Sequence, residues 1–258
     1  MGPSKAGKTV AACSFLSEEA IKQERRIKVF DFDGGIQGIS SIPWLSGHKK
    51  LIDYEYYPPR VQAGQVPTYQ KINNDLEALM VNCATGKNLY ETIILDSLTS
   101  QTFAMLCDSV SLTHGGEGRN KGKRIGTMMM PGPEDYGFEA VNTYNILSFF
   151  RSLNVRNVII TAHIVDRYGR PPGNDDPFAE RIVIGEKLSI RDKIGENVGI
   201  YFNHKFRFDV EMRGTEKRHN VQFHSELAST SFFGLPNGKI DITGKNFYSY
   251  LMGLVNKT

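Results

Sequence analysis

Met1-Gly2-Pro3-Ser4-Lys5-Ala6-Gly7-Lys8-Thr9 opens the chain and decides how the rest is read. From Gly2 to Thr9 the residues follow G-x-x-x-x-G-K-T, the pattern of a phosphate-binding loop (Walker A). Each residue type answers a physical need. Gly2 and Gly7 let the backbone turn tightly and aim its N–H groups inward, where a Cβ would block phosphate oxygens. Pro3, Ser4, Lys5 and Ala6 form the body of the cradle. Lys8 supplies a mobile point charge for the β- and γ-phosphates, and Thr9 a hydroxyl for Mg²⁺. The helix expected to begin here adds the positive end of its dipole. A Gly-rich surface turn is the competing reading, and the strands downstream decide against it. Such a loop normally follows a buried strand, yet only Met1 precedes Gly2. The first strand is thus apparently missing, and an apolar segment is expected upstream of Met1. Without one, the loop would lack support and be poorly ordered.

Three later strands are expected to end at polar side chains. After a helical stretch from Val10 to Glu24, the run Ile27–Gly35 is β-rich and closes on carboxylates and glycines. In open parallel sheets ligands sit at the carboxyl ends of strands, so Asp31 and Asp33 fall where chemistry is placed. A solvated strand end followed by a turn is the alternative. Residues 41–70, with Trp44, Pro43, Pro58, Pro59 and Pro67, read as an irregular excursion holding a short strand near Leu51–Tyr57. Asn73–Cys83 is helical by period. Tyr90–Thr99 then carries an apolar, β-branched strand ending in Asp96, the Walker B pattern. There a carboxylate holds the Mg²⁺ shell through water, while the strand is buried on both faces. The third strand, Arg156–His163, ends in His163, placed to touch a γ-phosphate and report its presence.

The remaining segments are less specific. Gln101–Thr113 and Asp135–Leu153 read as helices. Between them, His114–Gly132 is a Gly-rich loop with Arg119, Lys121, Lys123 and Arg124 against the single acid Glu117. Such clustered cations suit a phosphodiester backbone, or merely a solvated loop. A second loop covers Tyr168–Phe178. Ile200–Arg213 alternates as a strand and is expected to pair with Val221–Ser225 across 214–218. Residues 235–244 read as a loop, and Asn246–Val255 as a closing helix.

Composition bounds the class. With 258 residues, 40% hydrophobic and 23% charged, the chain can bury one large α/β core. A net charge of +3 implies no nucleic-acid partner by itself, so that question rests on local clusters. Cys13, Cys83 and Cys107 are odd in number and lack C-x-x-C spacing, against a disulfide framework or zinc site. His219 and His224 lack nearby carboxylates or thiolates and read as structural. No apolar run approaches the ~18 residues of a membrane span, and no signal peptide is seen. The reading is a cytoplasmic protein with no membrane partner. With no repeat or linker, residues 1–258 read as one domain, with a nucleotide-binding core at 1–165 and a strand-rich part at 166–258.

The motifs in this order resemble the RecA-like ATPase core. The likeness is greatest to the small phage-encoded RecA-like ATPases of recombination and single-strand annealing. It is carried by Gly2–Thr9, Val29–Gly35, Ile93–Thr99 and Val158–His163, so it covers about residues 1–165. It implies a mostly parallel central sheet flanked by helices, with an antiparallel C-terminal extension. It also implies ATP and Mg²⁺ as cofactors. Lys8 would meet phosphate, Thr9 and Asp96 the metal, and His163 would occupy the sensor position, usually Gln in recombinases. The family's D-x-E-G places a Glu that polarises the attacking water. Here Asp31-Phe32-Asp33-Gly34 puts Asp33 there, one methylene short, a shorter reach that would slow hydrolysis.

The resemblance further implies single-stranded DNA as partner, held by the loops at 114–132 and 168–178. It implies a homo-oligomeric ring or filament, a trans-acting cation for which Arg213, Lys217 and Arg218 are the candidates, and a single-strand-binding or recombination partner protein. A phage-encoded copy would work in the host cytoplasm. Two readings compete with an ATPase acting on single strands. One is a packaging or helicase-type motor on duplex DNA, and the other a weakly hydrolysing, nucleotide-dependent binding module. A small GTPase is disfavoured because Asn120-Lys121-Gly122-Lys123 lacks the guanine-reading Asp. A metabolite kinase stays open, because a phosphate loop does not name the acceptor.

Overall fold

The computed structural model describes residues 1–36, 39, 42, 45, 47–59, 66–114, 124–125, 128–170, 180–225, 227–230 and 235–256. They divide into two compact units. One is Ala12–Thr161; the other joins Met1–Ala11 to Ala162–Thr258.

The helix after the phosphate loop is shorter than its periodicity predicts. Helix α1 covers Lys8–Ala12 and α2 covers Glu18–Lys22. The break has a local cause. Leu16 N–H binds the Ser14 carbonyl at 2.8 Å, and the Ser17 hydroxyl accepts from Ala20 N–H at 3.1 Å. Ser17 thus starts a new helix as its N-cap, with Glu18 and Glu19 in the first turn.

The larger unit continues with β1 (Arg26–Asp31), β2 (Ile52–Tyr56), α3 (Thr68–Ala84), β3 (Tyr90–Asp96) and α4 (Leu98–His114). A small ribbon follows, β4 (Arg124–Ile125) and β5 (Met128–Met129), then α5 (Pro133–Ser152) and β6 (Asn157–Ile160). The sheet is wholly parallel, in the order β2-β1-β3-β6. From β1 the chain steps one way to β2 and then crosses back to β3. The carboxyl ends of β1 and β3 therefore flank the topological switch point, where open α/β sheets form their crevices. Strand β3 is buried along nearly its whole length, which explains its continuous apolar reading. Phe30 anchors the core, 5.7 Å from the Tyr57 ring in a stack and 5.4 Å from Phe150 edge-on.

The smaller unit is antiparallel. It contains the hairpin β7 (Ile164–Gly169) and β8 (Ile182–Leu188), the helix α6 (Asp192–Val198), the strands β9 (Arg207–Arg213), β10 (Glu216–Gln222) and β11 (Lys239–Asp241), and the helix α7 (Phe247–Val255). The three-stranded sheet runs β11-β10-β9. Phe206 meets Phe223 and Phe247 edge-on, and Phe208 also meets Phe247 edge-on, which closes its core. Asn246 caps α7, its side chain accepting from Ser249 N–H at 3.0 Å.

The expected architecture is met: a parallel central sheet with helices, and an antiparallel C-terminal part. Several boundaries are corrected. The β9–β10 hairpin turns at Gly214, whose φ of 63° suits glycine, so β10 starts at Glu216 and not at Val221. The stretch expected as a loop at 235–244 contains β11, paired Val221↔Ile240. Strands β7 and β8 were not expected, because β7 is mostly exposed and shows no period-two apolar pattern. Among the described residues no helix is long and apolar enough to cross a membrane.

Candidate functional site

In the smaller unit, the phosphate loop is built on backbone handedness. Lys5 and Gly7 both take positive φ, 61° and 87°. Its entry is paired on two sides. Gly2 forms a parallel bridge with His163, its N–H binding the Ala162 carbonyl at 3.1 Å and its carbonyl accepting from Ile164 N–H at 3.3 Å. On the other side Phe208 N–H binds the Met1 carbonyl at 2.7 Å. A Cβ on Gly2 would lie 2.2 Å from the Phe208 carbonyl oxygen, so only glycine fits between these segments. One residue of strand pairing thus stands directly before the loop.

Lys8 is buried, and its ammonium is turned back onto the loop. Nζ donates to the carbonyls of Gly2 at 2.9 Å and Pro3 at 2.7 Å, and lies 3.3 Å from Nδ1 of His163. An ammonium only donates, so Nδ1 of His163 is the acceptor in this contact. The structure therefore brings together two residues singled out from motifs far apart in the sequence. Thr9 stands beside Lys8 in the first turn of α1.

In the larger unit, the tips of β1 and β3 carry the carboxylates. Asp31 and Asp96 are register partners, and both side chains are buried. Asp31 shapes the turn after β1. Its Oδ1 accepts from the N–H groups of Asp33 at 3.1 Å and Gly34 at 2.8 Å, and its Oδ2 from Ile36 N–H at 3.3 Å. Burial nevertheless raises its pKa above the ordinary carboxylate value, and those N–H groups offset only part of the rise. Asp33 is held to the β3–α4 junction, its Oδ1 accepting from the Ser97 hydroxyl at 2.9 Å and from the Ser100 hydroxyl. The Thr161 hydroxyl donates to Asp96 Oδ1. Burial pushes the Cys13 thiol far up, with the charges of Asp96 and Asp31 adding to it, so Cys13 is an inert neighbour of this edge.

No protein-family model and no curated protein matches the chain. Among solved structures it is similar to a KaiC-like protein from the hyperthermophilic archaeon Pyrococcus horikoshii. Identity is 14% and the TM-score 0.46, over 93% of this chain and 86% of that one. A likeness of that order carries no function across.

Other expected site residues are placed as follows. Arg119, Lys121 and Lys123 lie outside the described residues, and so does 171–178 of the second loop; of Arg124 only the backbone is described, in β4. Arg213 and Lys217 are exposed on the β9–β10 hairpin, without an ion pair among the described residues. Arg218 is engaged by Glu216 and Asp241, each at 3.4 Å. Arg207, half-buried, grips Glu186 in a two-pronged bond and also reaches Asp209 and Gln222. Among the described residues no cluster of three or more His, Cys, Asp or Glu is set to hold a metal.

Sequence reasoning missed Ser97, Ser100 and Thr161. The hydroxyl-rich run Ser97-Leu98-Thr99-Ser100 after the strand tip is a usable signal for the first two. Thr161 needs the fold.

Proposed function

We propose that the chain binds ATP with Mg²⁺ at the loop Gly2–Thr9 and hydrolyses it, acting on single-stranded DNA in recombination or replication of the phage type. The observation that carries the nucleotide reading is the loop itself. A complete G-x-x-x-x-G-K-T takes left-handed turns at Lys5 and Gly7 and keeps the Lys8 ammonium inside its own curve. In the proposal Lys8 exchanges the Gly2 and Pro3 carbonyls for phosphate oxygens.

In the proposal the two motifs assign a hydroxyl, Thr9, and a carboxylate, Asp96, to a hard cation, and Mg²⁺ typically takes only one or two protein carboxylates beside water and phosphate. Asp96 already accepts from Thr161, and a carboxylate has lone pairs for more than one partner. When bound, the ion supplies Lewis-acid screening of phosphate charge. Asp33 acts as the base toward water, and His163, released by Lys8, senses the terminal phosphate. The partner reading rests on the cations Arg119, Lys121, Lys123 and Arg124 in a Gly-rich stretch. A ring or filament with a trans-acting cation is part of the same proposal, with exposed Arg213 and Lys217 the better candidates.

One observation favours the weakly hydrolysing reading. Asp33 is shorter than Glu, and two serine hydroxyls already donate to the same oxygen, so that oxygen is engaged by the protein where the reading needs it to meet water. ATP turnover with and without single-stranded DNA, on wild type, Lys8→Ala, Asp33→Ala and Asp33→Glu, tests these readings. Loss of turnover in both alanine variants supports the ATPase; equal turnover in all four sinks it. Tight ATP binding with negligible wild-type turnover, rising in Asp33→Glu, selects the binding module.

A further inference from the structure

His219 lies far from the phosphate loop in sequence, yet its imidazole rests against the loop. A Cβ built on Gly7 would fall 3.1 Å from Nδ1 of His219, 3.6 Å from Cγ and 3.7 Å from Cε1. The φ of 87° at Gly7 favours glycine, and a Cβ there would also press on the His219 ring. The ring is presented by a fixed backbone. His219 sits in β10 opposite Val210, its N–H donates to the Thr243 hydroxyl at 2.8 Å, and its carbonyl accepts from Ile242 N–H at 2.8 Å.

Nδ1 itself is enclosed and has no hydrogen-bond partner among the described residues. Native folds leave few such atoms, because an orphaned buried polar group costs stability that an apolar ring of the same shape would not. A packing role alone does not explain the nitrogen. What lies next to it is a loop whose sequence is that of a phosphate cradle.

We propose that His219 is a ligand-binding residue of this loop, its Nδ1–H donating to a phosphate oxygen of the bound nucleotide. A phosphate oxygen only accepts, so His219 carries its proton on Nδ1. In His163, by contrast, Nδ1 is the acceptor, toward Lys8. The three-stranded sheet β11-β10-β9 thereby reads whether the loop is filled. The inference rests on the nucleotide reading above and adds a residue to it.

The experiment measures ATP, ADP, adenosine and inorganic phosphate binding by calorimetry, with the ligand-free thermal midpoint beside it. The proteins are wild type, Lys8→Ala, His219→Phe and His219→Asn. Phenylalanine keeps the ring and drops the nitrogen; asparagine restores a donor near the Nδ1 position. His219→Phe is expected to be as stable as wild type without ligand and to bind ATP and ADP about tenfold more weakly or worse, the worth of one hydrogen bond to a charged group. His219→Asn recovers most of that loss, and adenosine binding is unaffected. If His219→Phe binds ATP like wild type while Lys8→Ala does not, the role of His219 is overturned and the nucleotide reading stands. Parallel loss of stability and affinity, without rescue by asparagine, makes His219 a packing residue and also overturns it. Wild type that binds inorganic phosphate but not ATP, or neither, ends both.

Discussion

Replacing Asp31 by alanine should loosen the turn that presents Asp33, and the size of the effect follows from three hydrogen bonds. The side chain is 1% exposed, and its two oxygens take the N–H groups of Asp33, Gly34 and Ile36. Asp33 N–H also donates to the Asp96 carbonyl at 3.2 Å and keeps that partner, and Gly34 is exposed, so its freed N–H meets water. Ile36 is buried, and its N–H would be left without a partner. A bond to a charged acceptor is worth about 1.5–3 kcal/mol and an orphaned buried donor costs about 1–3 kcal/mol. Relief of the buried charge offsets part of this, so the net loss is placed at about 2–4 kcal/mol. Asp31→Asn keeps one carbonyl oxygen for Asp33 and Gly34 and removes the charge, but its NH2 faces the buried Ile36 N–H and leaves that donor unpaired, so it should cost about 1–3 kcal/mol. The assay is urea denaturation at pH 7 with far-UV circular dichroism. Because the folded pKa of Asp31 is raised, the native state holds its proton more firmly than the unfolded chain. Wild-type stability therefore falls as pH rises through the carboxylate range, and Asp31→Asn removes that contribution. An alanine variant within about 0.5 kcal/mol of wild type, the usual scatter of neutral surface changes, would refute the reasoning.

Three further outcomes can be checked. Phe30→Ala removes a fully buried ring stacked on Tyr57 and edge-on to Phe150, and should cost about 3–5 kcal/mol in chemical denaturation. Asp108 is 3% exposed, and burial raises its pKa to about 6 although it accepts from the backbone of Tyr69 and Thr68. An acid raised from 3.8 to about 6 binds its proton more tightly when folded, so stability is lost as pH climbs through that window; Asp108→Asn should stabilise at pH 8 by at most about 3 kcal/mol and leave pH 4 unchanged, measured as paired urea midpoints. If the loop cations follow a DNA backbone, replacing Arg119, Lys121, Lys123 and Arg124 by alanine should flatten the salt dependence of single-strand binding by about 0.7 for each phosphate no longer neutralised; an unchanged slope places the DNA elsewhere on the protein.

Much of the larger unit is legible in the sequence because its signals are local. Strand β3 is buried on both faces, and Thr92-Ile93-Ile94-Leu95 says so without help from any neighbour. Strand β2 falls within Leu51–Tyr57, where a short strand is expected inside the irregular, proline-marked excursion. Where the chain relies on exposed strands, periodicity fails: β7 and β8 pair antiparallel, yet β7 keeps most of its side chains in solvent. The long helix expected from Val10 to Glu24 fails for another reason. Its apolar period runs through the break, while the capping hydroxyl of Ser17 and the turn at Ser14 end one helix and start the next.

What the sequence determined by itself is the kind of chemistry on offer. Glycines, lysine and threonine at phosphate-loop spacing, and apolar runs closing on Asp33, Asp96 and His163, are statements about residue type and short-range order. What only the tertiary structure decided is which groups meet. Strand order put β1 between β2 and β3, so that Asp31 and Asp96 share one register and the switch point falls at their ends. Folding also gave Asp33 its two serines, Asp96 its threonine, Lys8 its histidine, and Gly7 the unsatisfied ring of His219. These pairings span long loops, and their closure is decided by strand pairing and core packing over the whole unit, which no local pattern encodes.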